Sequence, residues 1–246
     1  MRPIGFSTGA LALGDFHRAL AMLASKGTRA LELSALRDHE LAPLMAALND
    51  LPVDQFSYFS IHVPSKFKTL DEAAVAAQLL PCIERGIPII LHPDVIEQPS
   101  CWAPFGSVLC IENMDKRKKT GRTLDELEPF FSIFPEAGFC LDIGHARQID
   151  STMTEARLML RRFGHKLRQI HISEIDAAGH HNPLSLATVL ASQSVADLIG
   201  DEVPVIIESM IQEDDIDQEM ASVEMALKVP PRPATEVEFT DWGELA

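Results

Sequence analysis

The chain has 246 residues, 46% of them hydrophobic and 23% charged, with a formal net charge of -15. That composition suits one large buried core, while the acidity opposes capture of a phosphate backbone, which depends on lysine and arginine. No apolar run reaches the roughly 20 residues that span a bilayer, and MRPIGFSTGALALGDF lacks the charged start, apolar centre and cleavage site of a signal peptide.

Ile4 to Thr8 reads as a strand, and Asp15 to Lys26 as an amphipathic helix with Asp15 as N-cap and Gly27 as stop. Ala30 to Ser34 is a second strand and Arg37 to Asn49 a helix, followed by a third strand, Phe56 to Val63, that carries His62. Thr69 and Glu72 have capping-box spacing, which predicts a helix from Leu70 to Arg85, disturbed at Pro81 and closed by Gly86. Pro88 to Leu91 is the fourth strand, and the breakers between Asp94 and Gly106 leave room for only a short helix before the fifth, Val108 to Ile111. The one basic run, Met114 to Arg122, lies on the loop after Glu112, and Thr123 with Glu126 opens the helix DELEPFFSIF.

The sixth strand, Phe139 to Leu141, stops at Asp142, with His145 three residues on across an Ile-Gly turn. Ser151 to Phe163 is helical, Leu167 to Ile172 is the seventh strand, and the long loop SEIDAAGHHNP leads to a helix from Leu184 to Ile199. Pro204 to Ile207 is the eighth strand and Asp214 to Leu227 the closing helix. Strand and helix thus alternate as in an α/β single (βα)8 TIM barrel over residues 1–228, with Val229 to Ala246 as a proline- and acid-rich tail, laid on the surface or disordered. The four cysteines lack disulfide-framework spacing and are read as reduced, with Cys110 and Cys140 as small buried hydrophobes.

One pattern recurs at the strand exits: an apolar run, then His, Asp or Glu. It appears at His62, His92, Glu112, Asp142, His171 and Glu208. Those residue types make up 9 + 36 = 45 of 246 positions, so six consecutive exits would carry one by chance in about a few cases in 10⁵. A parallel barrel brings its C-terminal strand ends to one mouth, where three carboxylates repel one another unless cations offset them. Imidazole mixed with carboxylate suits zinc, manganese or ferrous iron, and one ion uses about four ligands, so the set implies two divalent ions bridged by Glu112 or Asp142. Glu32, at the second exit, is a candidate substrate contact or a rim hydrogen-bond acceptor, and Lys116 and Arg117, with Lys118, Lys119 and Arg122, are candidates for a substrate phosphate or carboxylate.

The motifs IHVP, LHPD, IEN, LDIGHA, IHISE, HH and IIES, between Ser60 and Met210, resemble the xylose-isomerase-like superfamily and, in their ligand set, endonuclease IV. The resemblance implies one ion on His62, His92 and Glu112, and a second on Glu112, Asp142, His171 and Glu208. His145 and His180 would match two ligands of a third ion. Ala178 stands where that ion's aspartate would be, Asp176 is the nearest substitute, and His181 reads as a supporting or loop residue. DNA-penetrating loops have no counterpart here.

Three functions follow as expectations. The first is metal-assisted hydrolysis of a phosphoester or related bond in a small substrate, with a metal-activated water and Glu208 or Glu112 positioning it. The second, implied by the superfamily's sugar isomerases and epimerases, uses one ion on Glu112, Asp142, His171 and Glu208; the two glutamates pass a proton across the substrate carbon, and His145 contacts the sugar. The third is a metal-binding protein without catalysis, with iron-dependent oxidation as a further variant. A cytoplasmic location, a small-molecule substrate, and neither nucleic acid nor membrane as partner complete the expectation.

Overall fold

The computed structural model describes residues 2–229. The strands are β1 (Ile4–Ser7), β2 (Ala30–Ser34), β3 (Tyr58–His62), β4 (Ile89–Leu91), β5 (Leu109–Glu112), β6 (Gly138–Asp142), β7 (Leu167–Ile172), β8 (Glu174–Ile175), β9 (His181–Asn182) and β10 (Val205–Ile207). Eight of them close a parallel barrel in the order β1, β10, β7, β6, β5, β4, β3, β2, which is the expected (βα)8 TIM barrel. β8 and β9 form a separate antiparallel hairpin inside the loop after β7.

Successive side chains in a strand face opposite sides, and the barrel uses this to separate two interiors. The outward set, including Ile61, Ile89, Leu91, Ile111, Phe139, Leu141, Ile170, Ile172, Val205 and Ile207, is buried with the helices in the main apolar core. Phe139 shows how that layer packs, with its ring 5.9 Å from Phe131 and 5.7 Å from Phe163. The inward set is mostly polar or small, and its buried apolar cluster is only Ile90, Cys110 and Cys140. The core therefore lies around the barrel, and the barrel's own interior is left for chemistry. All four cysteines are free thiols, as expected.

Local signals place most helices. Asp15 caps Phe16–Leu23 by accepting from the Arg18 N–H at 3.0 Å, and Thr123 caps Leu124–Ile133 by accepting from the Glu126 N–H at 3.3 Å. Thr69 does not cap the helix between β3 and β4. Asp71 does, accepting from Ala74 N–H at 2.7 Å, and the helix divides into Glu72–Leu79 and Pro81–Arg85. Glu72 is buried instead, where it accepts from the backbone N–H groups of Glu97 and Gln98 and from the Trp102 indole. Its carboxylate thus anchors the loop beyond β4. Other helices are shorter than expected, Asp38–Ala47, Thr154–Phe163 and Leu186–Gln193, each followed or preceded by a turn or 3-10 segment. Among the described residues no helix is long and apolar enough to cross a membrane. The expected tail, apart from Val229, lies outside the described residues.

Candidate metal centre

The inward positions at the C-terminal ends of β3, β5, β6 and β7 are His62, Glu112, Asp142 and His171, while His92 and Glu208 sit just past β4 and β10. Glu112 is at their middle and is almost fully buried. Its Oε2 lies 3.2 Å from His62 Nε2, 3.4 Å from His92 Nε2 and 3.4 Å from His171 Nδ1. His171 Nδ1 is in turn 3.7 Å from Glu208 Oε1.

Among the described residues four groups of possible ligand atoms result, each with its members within 4.8 Å of one another. Two are Glu32, His62, His171 and Glu208, and Glu112, Cys140 and His171; the two that match the expected sets are His62, His92 and Glu112, and Glu112, Asp142, His171 and Glu208, and these share Glu112. Within the last group Asp142 Oδ2 and His171 Nδ1 are buried without a hydrogen-bond partner, a costly state that a cation relieves. The mixture of imidazole and carboxylate donors and these orphaned atoms fit divalent ions of the zinc, manganese or ferrous type.

Without ions, the imidazoles balance the acids. Burial works against charge on His62 and His145, yet the surrounding carboxylates push their pKa values up to about 9 and about 10. Burial wins at His92 and His181, which fall to about 4 and about 3. Burial also lifts Glu208 to about 7 and raises Asp142, while Glu112, despite its burial, is held well below the usual carboxylate range by His171 and His92. The cluster thus holds protons where ions of like charge would replace them.

The segment after β6 is the first turn of a helix, Ile143–Ile149, and Asp142 is its N-cap. Asp142 Oδ1 accepts from His145 N–H at 2.7 Å, which leaves Oδ2 for the cluster. Gly144 is required by closeness: a Cβ there would stand 2.6 Å from the Ser173 carbonyl oxygen. Asn113, absent from the sequence-based set, joins β5 to β6 by accepting from Asp142 N–H at 2.8 Å and donating to Asp142 O at 2.9 Å. His145 Nδ1 lies 2.9 Å from the Asn113 carbonyl and 3.2 Å from Glu112 Oε1, so His145 borders the cluster but belongs to none of the four ligand groups.

Glu32, expected as a substrate contact or a rim acceptor, is fully buried and does not line the cavity; it is a hydrogen-bond acceptor below the rim. It pairs in register with Ser60, one inward position below His62. There its Oε2 accepts from Ser60 Oγ at 3.0 Å and Gln169 Nε2 at 2.7 Å, and lies 3.1 Å from His171 Nε2. Tyr58 extends the network by donating to Gln169 Oε1 at 2.6 Å. His171 Nε2 is thus engaged by Glu32 and, at 2.6 Å, by Gln169 Nε2, which leaves Nδ1 as the ligand atom. Glu32 therefore supports the centre from beneath.

His180 and His181 separate. His180 is on the outside of the hairpin, 69% exposed, with Nδ1 2.9 Å from Asp176 Oδ2. Asp176 is committed to that turn, also accepting from the N–H groups of Ala178 and His180. Neither residue joins the cluster, so the expected third ligand set does not assemble. The histidine that turns inward is His181, with Nδ1 3.5 Å from Glu208 Oε2 and its ring 5.7 Å from that of His145. The Asp176 turn holds His180 outside, and β9 begins only at His181.

The cluster opens into a cavity of about 1090 Å³, lined by His62, His92, Glu112, His145, His181 and Glu208 on its inner side and by Arg117, Lys118 and Lys119 on the loop after β5. Lys116 is exposed and does not line it. Nothing from Pro183 to Ile199 enters the cavity.

No protein-family model and no curated protein matches the sequence. Solved structures do match. A xylose isomerase domain protein from Alicyclobacillus acidocaldarius aligns with a TM-score of 0.61 at 13% identity, over 92% of this chain and 98% of the other. The two share the (βα)8 barrel fold. Such barrels are also seen in a 3-keto-D-glucoside 4-epimerase from E. coli, with a TM-score of 0.59, 13% identity and coverage of 92% and 99%. Endonuclease IV from Thermus thermophilus aligns with a TM-score of 0.58 at 17% identity, over 90% of this chain and 99% of that one.

Proposed function

We propose that this xylose-isomerase-like barrel is a divalent-metal-dependent hydrolase of a phosphoester or related bond in a small substrate. The observation that carries the reading is the place of Glu112, whose one carboxylate belongs to both of the expected ligand groups at once. His62 and His92 would hold one ion with it, and Asp142, His171 and Glu208 a second. Ions bound there supply Lewis acidity, lowering the pKa of water and polarising ester oxygens. The protein's own part is positioning: Asn113 and Asp142 fix the β5–β6 edge, Glu32 and Gln169 hold the His171 ring by Nε2, and Glu208 with His181 faces the cavity to orient water and leaving group. The chain's net charge of -15 favours a small substrate over a nucleic-acid duplex.

A second reading is isomerisation or epimerisation of a sugar or sugar phosphate, favoured by Glu112 and Glu208 both standing within 4 Å of His171 Nδ1, at 3.4 and 3.7 Å. The readings part in one assay pair on protein loaded with zinc, manganese or iron. Hydrolysis predicts turnover of bis(p-nitrophenyl) phosphate that is lost in His92→Ala. Epimerisation predicts deuterium uptake from D₂O into a sugar substrate and indifference to His92→Ala. Deuterium uptake without phosphoester turnover would transfer the assignment to the second reading.

A further inference from the structure

Arg117 is 46% exposed by side chain, yet it is held on three sides. Nε donates to Asp115 Oδ1 at 2.9 Å, Nη2 to Asp115 Oδ2 at 2.8 Å, and Nη1 to the Ala178 carbonyl at 2.9 Å. Asp115 is only 2% exposed, so its pair with Arg117 is far less screened than a surface ion pair. Gly179, at φ +84°, lies under the guanidinium, where a Cβ would come within 1.9 Å of Cζ. The loop after β5 and the β8–β9 hairpin are thereby joined through one side chain.

Three bonds account for how Arg117 is placed, and they do not use it up. A guanidinium has five N–H donors; subtracting the three bonds leaves two, one on Nη1 and one on Nη2. No described residue accepts them, and Arg117 lines the cavity. It stands at the edge of the centre, since the Asp115 Oδ2 it grips is 3.9 Å from His145 Nε2. Two neighbouring cations differ, and Lys119, which also lines the cavity, is an ammonium without Arg117's fixed fork. Lys118 is committed to Asp94 at 2.8 and 3.1 Å, and Lys116 is outside the cavity.

We propose that the two remaining N–H groups of Arg117 anchor a tetrahedral phosphate, that of the ester substrate or of the product it leaves, beside the metal centre. The inference rests on the hydrolase reading and names the group that selects its substrate. A planar cation already fixed by Asp115 and Ala178 loses little rotamer freedom on binding, and its geometry matches phosphate oxygens as an ammonium does not.

The test is the affinity of inorganic phosphate for metal-loaded protein, measured by calorimetry with metal content determined on each sample. Arg117→Ala is expected to weaken phosphate binding about 10- to 100-fold at unchanged metal content. Arg117→Lys retains the charge and is expected to recover only part of that loss, which also covers any disturbance of the loop in the alanine variant. Lys116→Ala, one residue away, is expected to shift affinity less than about twofold. Acetate should bind more weakly than phosphate and respond less to Arg117→Ala. Equal phosphate affinity in wild type and Arg117→Ala, or full recovery in Arg117→Lys, would overturn the anchor and leave the hydrolase reading standing. Loaded wild type that binds no phosphate would overturn the hydrolase reading itself.

Discussion

The strand ends and the β8–β9 hairpin both bring histidines to the barrel mouth, but different rules aim them. At β3, β5, β6 and β7 the parallel register fixes which side chains face inward, and His62, Glu112, Asp142 and His171 converge because each has the same parity as the inward residue two places before it. On the hairpin, the turn built around Asp176 decides, and it directs His180 to solvent and His181 to Glu208. Residues borne on the barrel can be placed from the sequence; residues borne on an irregular loop need the turn itself.

The sharpest way to break this comparison is to remove its shared point. Glu112→Ala takes a carboxylate from both expected ligand groups at once and leaves buried imidazoles without their acid, so activity should fall by at least about 10³-fold. Metal content, measured on the same sample, should drop towards zero, whereas His92→Ala should retain the ion held by Asp142, His171 and Glu208. Retention of both ions in Glu112→Ala would show that the two groups are independent.

A smaller effect is expected one layer below. Glu32→Gln keeps the shape but weakens the acceptor facing His171 Nε2, and metal affinity measured by chelator competition should decline about 10- to 100-fold without loss of fold by circular dichroism. Unchanged affinity would reduce Glu32 to a packing residue. The pH dependence follows from the same cluster. Metal-free His62 and His145 hold protons up to about pH 9 and about pH 10, so binding through His62 must expel a proton at neutral pH. Apparent affinity should therefore rise between pH 6 and 8, by up to about tenfold per unit for each proton released. The sign for the metal-free chain is opposite. These raised values contribute stability below the unfolded histidine pKa, about 6.5, that is lost as pH climbs through the folded values. Thermal melts of metal-free protein should move down from pH 6.5 to 9, and a flat affinity profile would remove His62 from the ligand set.

The least disruptive comparison is the histidine pair. His181→Ala should lower turnover about tenfold by removing a group beside Glu208, while His180→Ala, on the exposed side, should stay within about twofold. The reverse order would mean that the hairpin presents its other face during function.

The alternation of strands and helices, and the exits bearing His, Asp or Glu, were legible because burial forces a regular period on every strand of the barrel. The position of Glu32 was misread by one layer. It belongs to the level of Ser60, whereas Ser34 stands level with His62, and strand length alone does not reveal that stagger. A pattern available in the sequence would have shown it: Ser60, Cys110, Cys140 and Gln169 each precede an exit residue by two positions and mark a polar or small inner layer. Thr69 and Glu72 have a capping spacing that the fold does not use, because Glu72 is drawn into the loop that holds Trp102. The Arg117 anchorage on Ala178 is a contact between distant loops, which no local pattern encodes, and the inward turn of His181 depends on the geometry of an irregular turn.

The central claim is a binuclear centre shared through Glu112, and plasma mass spectrometry on protein dialysed against zinc, manganese or ferrous iron addresses it most directly. The account predicts two ions per chain. One ion per chain, with no second at any excess of metal, would contradict it.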